Sequence, residues 1–258
     1  MATVHNTAIV DRKAQLGDDV VVEPYAIITG PAVIEAGTTV GPHALIEGRT
    51  NIGRNCRIFS HAVIGTIPQD LKFAGEDTYV EIGDGTTIRE FVTINRGTKA
   101  SGKTVVGKKC LLMAYAHVAH DCYVGDGVVI ANCGTLAGHI TVGSYATIGG
   151  LSAVHQFVRI GAHAFVGGMS RLPQDIIPYA LVAGDQGTRV VGVNVLGLQR
   201  KGFKEEVIKD LRRAYHLLYR ENLNTTQALE RIEGELGGRK EVREVVEFVK
   251  NSERGILK

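Results

Sequence analysis

Nine histidines are spread along the 258 residues, and five of them (His117, His120, His139, His155 and His163) fall in a stretch of under fifty residues. An imidazole titrates near neutrality, so a histidine beside a carboxylate can act as a general base whose tautomer the carboxylate fixes. His120 is followed directly by Asp121. Eighteen residues on stands Gly138, and eighteen further Gln156. A glycine placed beside a base leaves its N–H open to a developing oxyanion. His139 and His155 flank this series by one position on either side, and His117 lies three before His120. Any one of these histidines, taken alone, reads as an exposed turn residue. Their convergence depends on whether a spacing of eighteen means proximity.

The elements that would position them show why it does. Stepping by six from Val4 to Ile64, from Ile82 to Ile94 and from Val106 to Val166 meets 25 positions, every one Val, Ile or Leu. Neither a helix nor a simple strand has a period of six; one short strand plus one turn does. The position four after each aliphatic is usually small, as at Ala8, Ala26, Ala44, Cys56, Ala62, Cys110, Ala116, Cys122 and Ala146, and Gly often follows the aliphatic directly, as at Gly53, Gly125 and Gly161. This pattern builds a narrow prism of parallel β-strands with three strands and eighteen residues per coil. Coils stack at about 4.8 Å, so roughly eight coils make a rod of about 40 Å. His120, His139, His155 and Gln156 should then crowd one ridge, about 5 Å apart per coil.

Two segments, 66–79 and 99–105, interrupt the hexads without changing their phase, so they should loop out of the prism. Loops on a rigid scaffold are favoured places for function, and the first carries Gln69, Asp70 and Lys72. After Ser170 the repeat fades, with Pro173 and Pro178 marking an irregular connection. From Lys204 the period turns helical, with Val207, Leu211, Ala214, Leu217 and Leu218 on one face. Two more helices follow over 225–236 and 240–250, parted by Gly237-Gly238. The organisation expected is a mainly β prism over 1–190 and an α-helical domain over 191–258 that caps it or packs on neighbouring subunits.

Lys+Arg 29 against Asp+Glu 27 leaves a formal charge of +2, which argues against nucleic acid or a membrane surface as partner. Aromatics are 6% with no Trp, which suits a narrow core without large rings. No signal peptide and no apolar run of about 18 residues is present, so a cytoplasmic chain with no integral membrane segment is expected. Its four cysteines form no CxxC and should be reduced, with Cys56, Cys110 and Cys122 in the small core slot. No GxSxG, P-loop or GxGxxG-helix motif occurs, and Gly149-Gly150 and Gly167-Gly168 read as turns. Gln199, Arg200 and Lys201 form a short basic run able to meet phosphates.

Specific motifs go beyond the hexads: I-G-x-x-P-Q-D-L-K-F-A-G-E at 64–76, I-N-R-G-T at 94–98, A-H-V-A-H-D-C at 116–122, L-A-G-H at 136–139, A-V-H-Q-F at 153–157 and G-V-N-V-L-G-L-Q-R-K-G-F at 192–203. By these the whole chain resembles the acyl-ACP–UDP-N-acetylglucosamine O-acyltransferases, which open lipid A biosynthesis. The resemblance implies a left-handed parallel β-helix, a homotrimer with active sites between subunits, and acyl carrier protein and UDP-N-acetylglucosamine as partners, with no cofactor or metal. It implies that His120 is the general base, that Asp121 orients it and that the Gly138 N–H serves the oxyanion. Gln69, Asp70, Lys72, His117, His139, His155 and Gln156 match substrate-contacting positions, and Asn194 and Arg200 nucleotide-contacting ones, Arg200 being suited to a diphosphate. Gly168 matches the position limiting acyl-chain length, with Met169 beside it able to shorten the groove. Leu196 departs from the family's usual Glu, which removes one polar nucleotide contact and keeps a 3-amino UDP-sugar open as acceptor.

Three other readings stand beside this one. A γ-class carbonic anhydrase uses the same prism and holds zinc with three histidines, but an Asp next to His120 suits a base better than a ligand. A non-catalytic scaffold should repeat its outer face, which the histidines and the 66–79 loop do not. The related N-acyltransferase of the same pathway carries an additional N-terminal domain, for which hexads beginning at Val4 leave no room.

Overall fold

Residues 1–184 and 187–258 are described by the computed structural model. The hexad becomes a strand of two residues and a turn. In Val33–Ile34, Leu111–Leu112 and Thr147–Ile148 the first side chain points outward and the second is fully buried. Each residue pairs in parallel with the one eighteen positions on, as Thr3 with Val21 and Val129 with Thr147. Three sheets of 11, 9 and 8 strands result, visited in rotation, and the fold is a left-handed parallel β-helix. Nine strands in the second sheet make the rod one coil longer than the hexad count implied. The core is a single column of Ile, Leu and Val, in which Cys56, Cys110 and Cys122 fill small slots.

At the corner between the first and second sheets the turns place Tyr25, His43, His61, Phe91 and Tyr115 at φ near +60°. That conformation is costly for a residue with a Cβ. Stacking offsets the cost, since these rings lie over one another with centroids 4.9 to 5.0 Å apart. The first coil has nothing beneath it, so its hexad aliphatic Val4 is 43% exposed despite obeying the pattern.

Both excursions leave the corner between the second and third sheets. The first runs between strands Val63–Thr66 and Tyr79–Ile82, the second between Thr93–Asn95 and Lys103–Val106. Tyr79 pairs with Arg49, 30 residues earlier, and Lys103 with Tyr79, 24 residues earlier, so the loops add twelve and six residues to a coil of eighteen. Both are multiples of six, which is why the phase survives. The second excursion ends earlier than its expected range of 99–105. Thr104, two before Val106, is fully buried in the small inward slot, and so the strand already begins at Lys103.

Strand Ala180–Ala183 continues the first sheet and then pairs antiparallel with Arg189–Val193, which extends that sheet across position 190. Four helices follow: α1 (Val195–Arg200), α2 (Glu205–Tyr219), α3 (Thr225–Leu236) and α4 (Lys240–Lys250). The bounds of α3 and α4 are those the periodicity predicts. Asn224 and Gln227 close a reciprocal capping box at the start of α3. The buried Asp175 ties the end of the prism to the tail, accepting from the Arg159 N–H at 2.8 Å and the Ser252 hydroxyl at 2.8 Å. Among the described residues no helix is long and apolar enough to cross a membrane.

Candidate active site

His120 and Asp121 sit on the corner from which both excursions emerge, one coil beyond the second. Neighbours in a strand point oppositely, but Asp121 is in the left-handed region at φ 59°, which turns its side chain to the same side as that of His120. His120 Nδ1 lies 2.7 Å from Asp121 Oδ2. The Asp121 side chain is fully inaccessible to solvent, while His120 keeps a narrow opening. Oδ1 of Asp121 accepts from the Thr98 N–H at 3.0 Å, from the Ser101 N–H at 3.2 Å and from the Ser101 hydroxyl. Oδ2 accepts also from the Thr98 hydroxyl at 2.8 Å. Burial alone would favour the neutral acid, but the donors from Ser101, His120 and Thr98 outweigh it and hold the carboxyl at about 2. An ionised carboxylate only accepts, so Nδ1 must donate, and in the neutral ring this leaves the lone pair on Nε2.

The His120 ring lies directly against Gly138. A Cβ built on that glycine would stand 2.6 Å from Cε1 and 2.7 Å from Nε2, so only glycine lets the ring take this place. Among the described residues no acceptor takes the Gly138 N–H. The matching turn position at the neighbouring corner is held by Pro24 and Pro42, which have no N–H; the fold does not need this donor.

His139, at φ 62°, stacks on Phe157 with centroids 4.6 Å apart and meets His120 edge-on at 5.1 Å. Burial lowers its pKa. The carboxylates of Asp121 and Asp70 pull it up and His120 pushes it down, so the charge of the first excursion is felt at this corner. His117 points outward from strand His117–Val118 with Nδ1 2.7 Å from the Thr93 hydroxyl, and burial followed by the nearby His120 lowers its pKa.

The expected ridge of four is therefore narrower than its spacing implied. His120, Asp121, Gly138, His139 and His117 come together. His155 and Gln156 are one coil further along and exposed, with His155 Nδ1 set 3.1 Å from the Gln156 carbonyl. The turn column runs Asp121, His139, Phe157, so its third member is a phenyl ring and His155 falls just past the strand end. Gln69 and Lys72 are exposed on the first excursion, where Asp70 accepts from the Lys72 N–H at 2.9 Å. Asn194 is occupied structurally: it caps α1 through the Gly197 N–H at 3.1 Å and donates to the His163 carbonyl at 3.0 Å. Arg200 is exposed in the last turn of α1, and Leu196 is 68% exposed in its first. Gly168 and Met169 lie at a different corner, between the first and second sheets, where exposed Met169 follows exposed Leu151 one coil earlier. Thr93, Thr98 and Ser101 were not among the expected site residues. Thr98 closes the I-N-R-G-T motif and Ser101 lies inside the second excursion, so both were within reach of the sequence pattern.

Donor atoms of His120, Asp121 and His139 lie within 4.8 Å of one another, close enough to hold a metal. Both Asp121 oxygens already accept from protein donors, and Nδ1 of His120 is one of them. A metal would have to displace that network, so the set fits a hydrogen-bonded pair better than a ligand sphere.

A stacked-hexad prism carrying a carboxylate-bound histidine at one corner defines a hexapeptide-repeat transferase, and the family described as bacterial transferase hexapeptide (six repeats) matches residues 13–48 and 103–138. UDP N-acetylglucosamine O-acyltransferase, domain 2, matches residues 175–257. Acyl-[acyl-carrier-protein]–UDP-N-acetylglucosamine O-acyltransferase of Thermodesulfovibrio yellowstonii is 44% identical over 259 residues, covering 100% of both chains. That of Campylobacter concisus is 40% identical over 258 residues, covering 99% of this chain and 97% of its own. The solved UDP-N-acetylglucosamine acyltransferase of Bacteroides fragilis superposes with a TM-score of 0.96 at 39% identity, covering 99% of this chain and 100% of that one. The Acinetobacter baumannii structure gives 0.95 at 38%, covering 99% of each. The chain belongs to the acyl-ACP–UDP-N-acetylglucosamine O-acyltransferase family.

Proposed function

We propose that this acyltransferase moves a 3-hydroxyacyl chain from acyl carrier protein to the glucosamine 3-hydroxyl of UDP-N-acetylglucosamine, the first step of lipid A biosynthesis. The observation that carries the reading is the His120–Asp121 pair with Nε2 free beside Gly138. Nε2 takes the proton of the sugar hydroxyl as its oxygen attacks the thioester carbon. The Gly138 N–H receives the charge that develops on the carbonyl oxygen. Collapse breaks the carbon–sulfur bond, and the proton passes from His120 to the departing thiolate. Asp121 stays ionised and stabilises the imidazolium formed in between. Gln69, Asp70, Lys72, His117, His139, His155 and Gln156 contact substrate, Arg200 and Asn194 the nucleotide, and Gly168 with Met169 the end of the acyl chain. Within one chain these residues fall on two corners and a helix, which supports a homotrimer whose sites lie between copies; the enzyme works in the cytoplasm.

The test offers carrier proteins bearing several 3-hydroxyacyl lengths together with UDP-N-acetylglucosamine or its 3-amino analogue, and identifies products by mass. Ester formation is expected with the hydroxyl sugar. His120→Ala should abolish transfer while sedimentation shows the oligomer intact; near-wild-type turnover by this variant would refute His120 as the base.

A further inference from the structure

The second excursion does two things at once. Its far part, Thr98 and Ser101, holds Asp121, as described. Its root, Asn95 and Arg96, grips the first excursion. Asn95 is 2% exposed and its amide donates to the Thr66 hydroxyl at 3.1 Å and to the Ile67 carbonyl at 2.9 Å, where the first loop leaves the prism. The Arg96 N–H donates to the Thr66 carbonyl at 3.0 Å. The Arg96 guanidinium lies over the Phe73 ring, 5.6 Å from its centroid, just past Gln69, Asp70 and Lys72. Gly48 makes room for that guanidinium, since a Cβ there would stand 2.8 Å from its terminal nitrogen. The Gly97 N–H closes on the carbonyl of Tyr79, where the first loop returns. Start, middle and end of the first excursion are thus held by three consecutive residues.

We propose that Asn95 and Arg96 are positioning residues that set Gln69, Asp70 and Lys72 against the His120–Asp121 pair. The inference rests on the acyl-transfer reading above. Neither residue touches the reacting atoms; both act through the loop they hold. The loop's own hydrogen bonds are few, with Asp70 serving Lys72 and Phe73 and Glu76 serving Ala74, so its place depends on the grip from outside. The segment thus holds the substrate wall at one end and Asp121 at the other through separate contacts.

Hydrogen exchange and steady-state kinetics on the full-length enzyme test this. In Arg96→Ala and Asn95→Ala, amide exchange across 67–78 should accelerate while that of the strands on either side does not. With UDP-N-acetylglucosamine varied, Arg96→Ala should raise KM about tenfold, the scale of a lost partly desolvated cation–π contact with its packing. The pH profile of kcat should stay in place, because the dyad is untouched, and Arg96→Lys should recover much of the loss. In a Lys72→Ala background Arg96→Ala should add little. Unchanged exchange over 67–78 in both variants would overturn the inference, as would a shifted pH profile, which would place the effect at Asp121. If loop exchange accelerates but Lys72→Ala and Asp70→Asn leave KM unaltered, the anchor stands and the substrate role given to the loop falls.

Discussion

Replacing Gly138 by alanine is the sharpest single test of the site. The added methyl would stand 2.6 Å from His120 Cε1, 2.7 Å from Nε2 and 3.2 Å from Nδ1. Carbon contacts relax at about 3.5 to 4.0 Å, so the ring must retreat by about 1 Å. It has little room to do so: Nδ1 is bound to Asp121 at 2.7 Å and His139 stands edge-on at 5.1 Å. Retreat therefore stretches the bond to Asp121, and a hydrogen bond to a charged group contributes about 1.5–3 kcal/mol. That range corresponds to about 10- to 150-fold in rate, and a displacement of about 1 Å at a reacting group independently costs about 100-fold. The expected result is a fall of roughly two orders of magnitude in kcat, a KM for the sugar within a few-fold of wild type, and an intact fold by circular dichroism. Single-turnover transfer from acyl carrier protein, followed by mass, reads the chemical step directly. A Gly138→Ala enzyme with more than a third of wild-type kcat would show that the ring's contact with Gly138 is not needed and would refute the reasoning.

Two further outcomes follow from titration. The Asp121 carboxyl is held below its usual value, at about 2, so its ionised form stabilises the fold by about 2 kcal/mol at pH values above that of the unfolded carboxyl, and this contribution is lost as pH falls from about 4 to about 2. Thermal melts should show Asp121→Asn clearly less stable than wild type at pH 7, with the gap closing by pH 2; a gap independent of pH would contradict the assignment. Burial pushes the Cys122 thiol up to about 12 and raises those of Cys56 and Cys110, whereas Cys133 is half-exposed. Iodoacetamide at pH 8 should therefore alkylate Cys133 first and spare Cys122 until the protein unfolds, as peptide mass mapping will show.

The prism is legible in the chain because its period is imposed by the core: every hexad aliphatic past the open first coil is buried, and the step of eighteen by itself carries His120 onto Gly138. The pairing of His120 with Asp121 was legible only as a possibility of the turn, since it depends on φ at Asp121. What the pattern missed is held by loops. Asn95 ends a strand and Arg96, Thr98 and Ser101 lie in the excursion after it, so a motif and a loop mark them in the chain but no periodicity encodes their contacts. The antiparallel return at Arg189–Val193 and the six-residue α1 are too short to carry a period of their own. His155 lies one coil further on than a single ridge would place it, because an equal step along the chain fixes height on the rod but not the direction of a side chain at a corner.

The corner between the second and third sheets passes chain outward at two successive coils and takes it back with the strands above and below still parallel and in phase, apart from a bulge where Thr66 meets Asn95. Residues inserted there lengthen the wall of the site and leave the rod unchanged. Eighteen residues inserted in register would instead lengthen the rod by one coil, about 4.8 Å, and leave the wall alone. Reach along the axis and enclosure around the base are thus independent variables of one polypeptide, each adjustable without refitting the other.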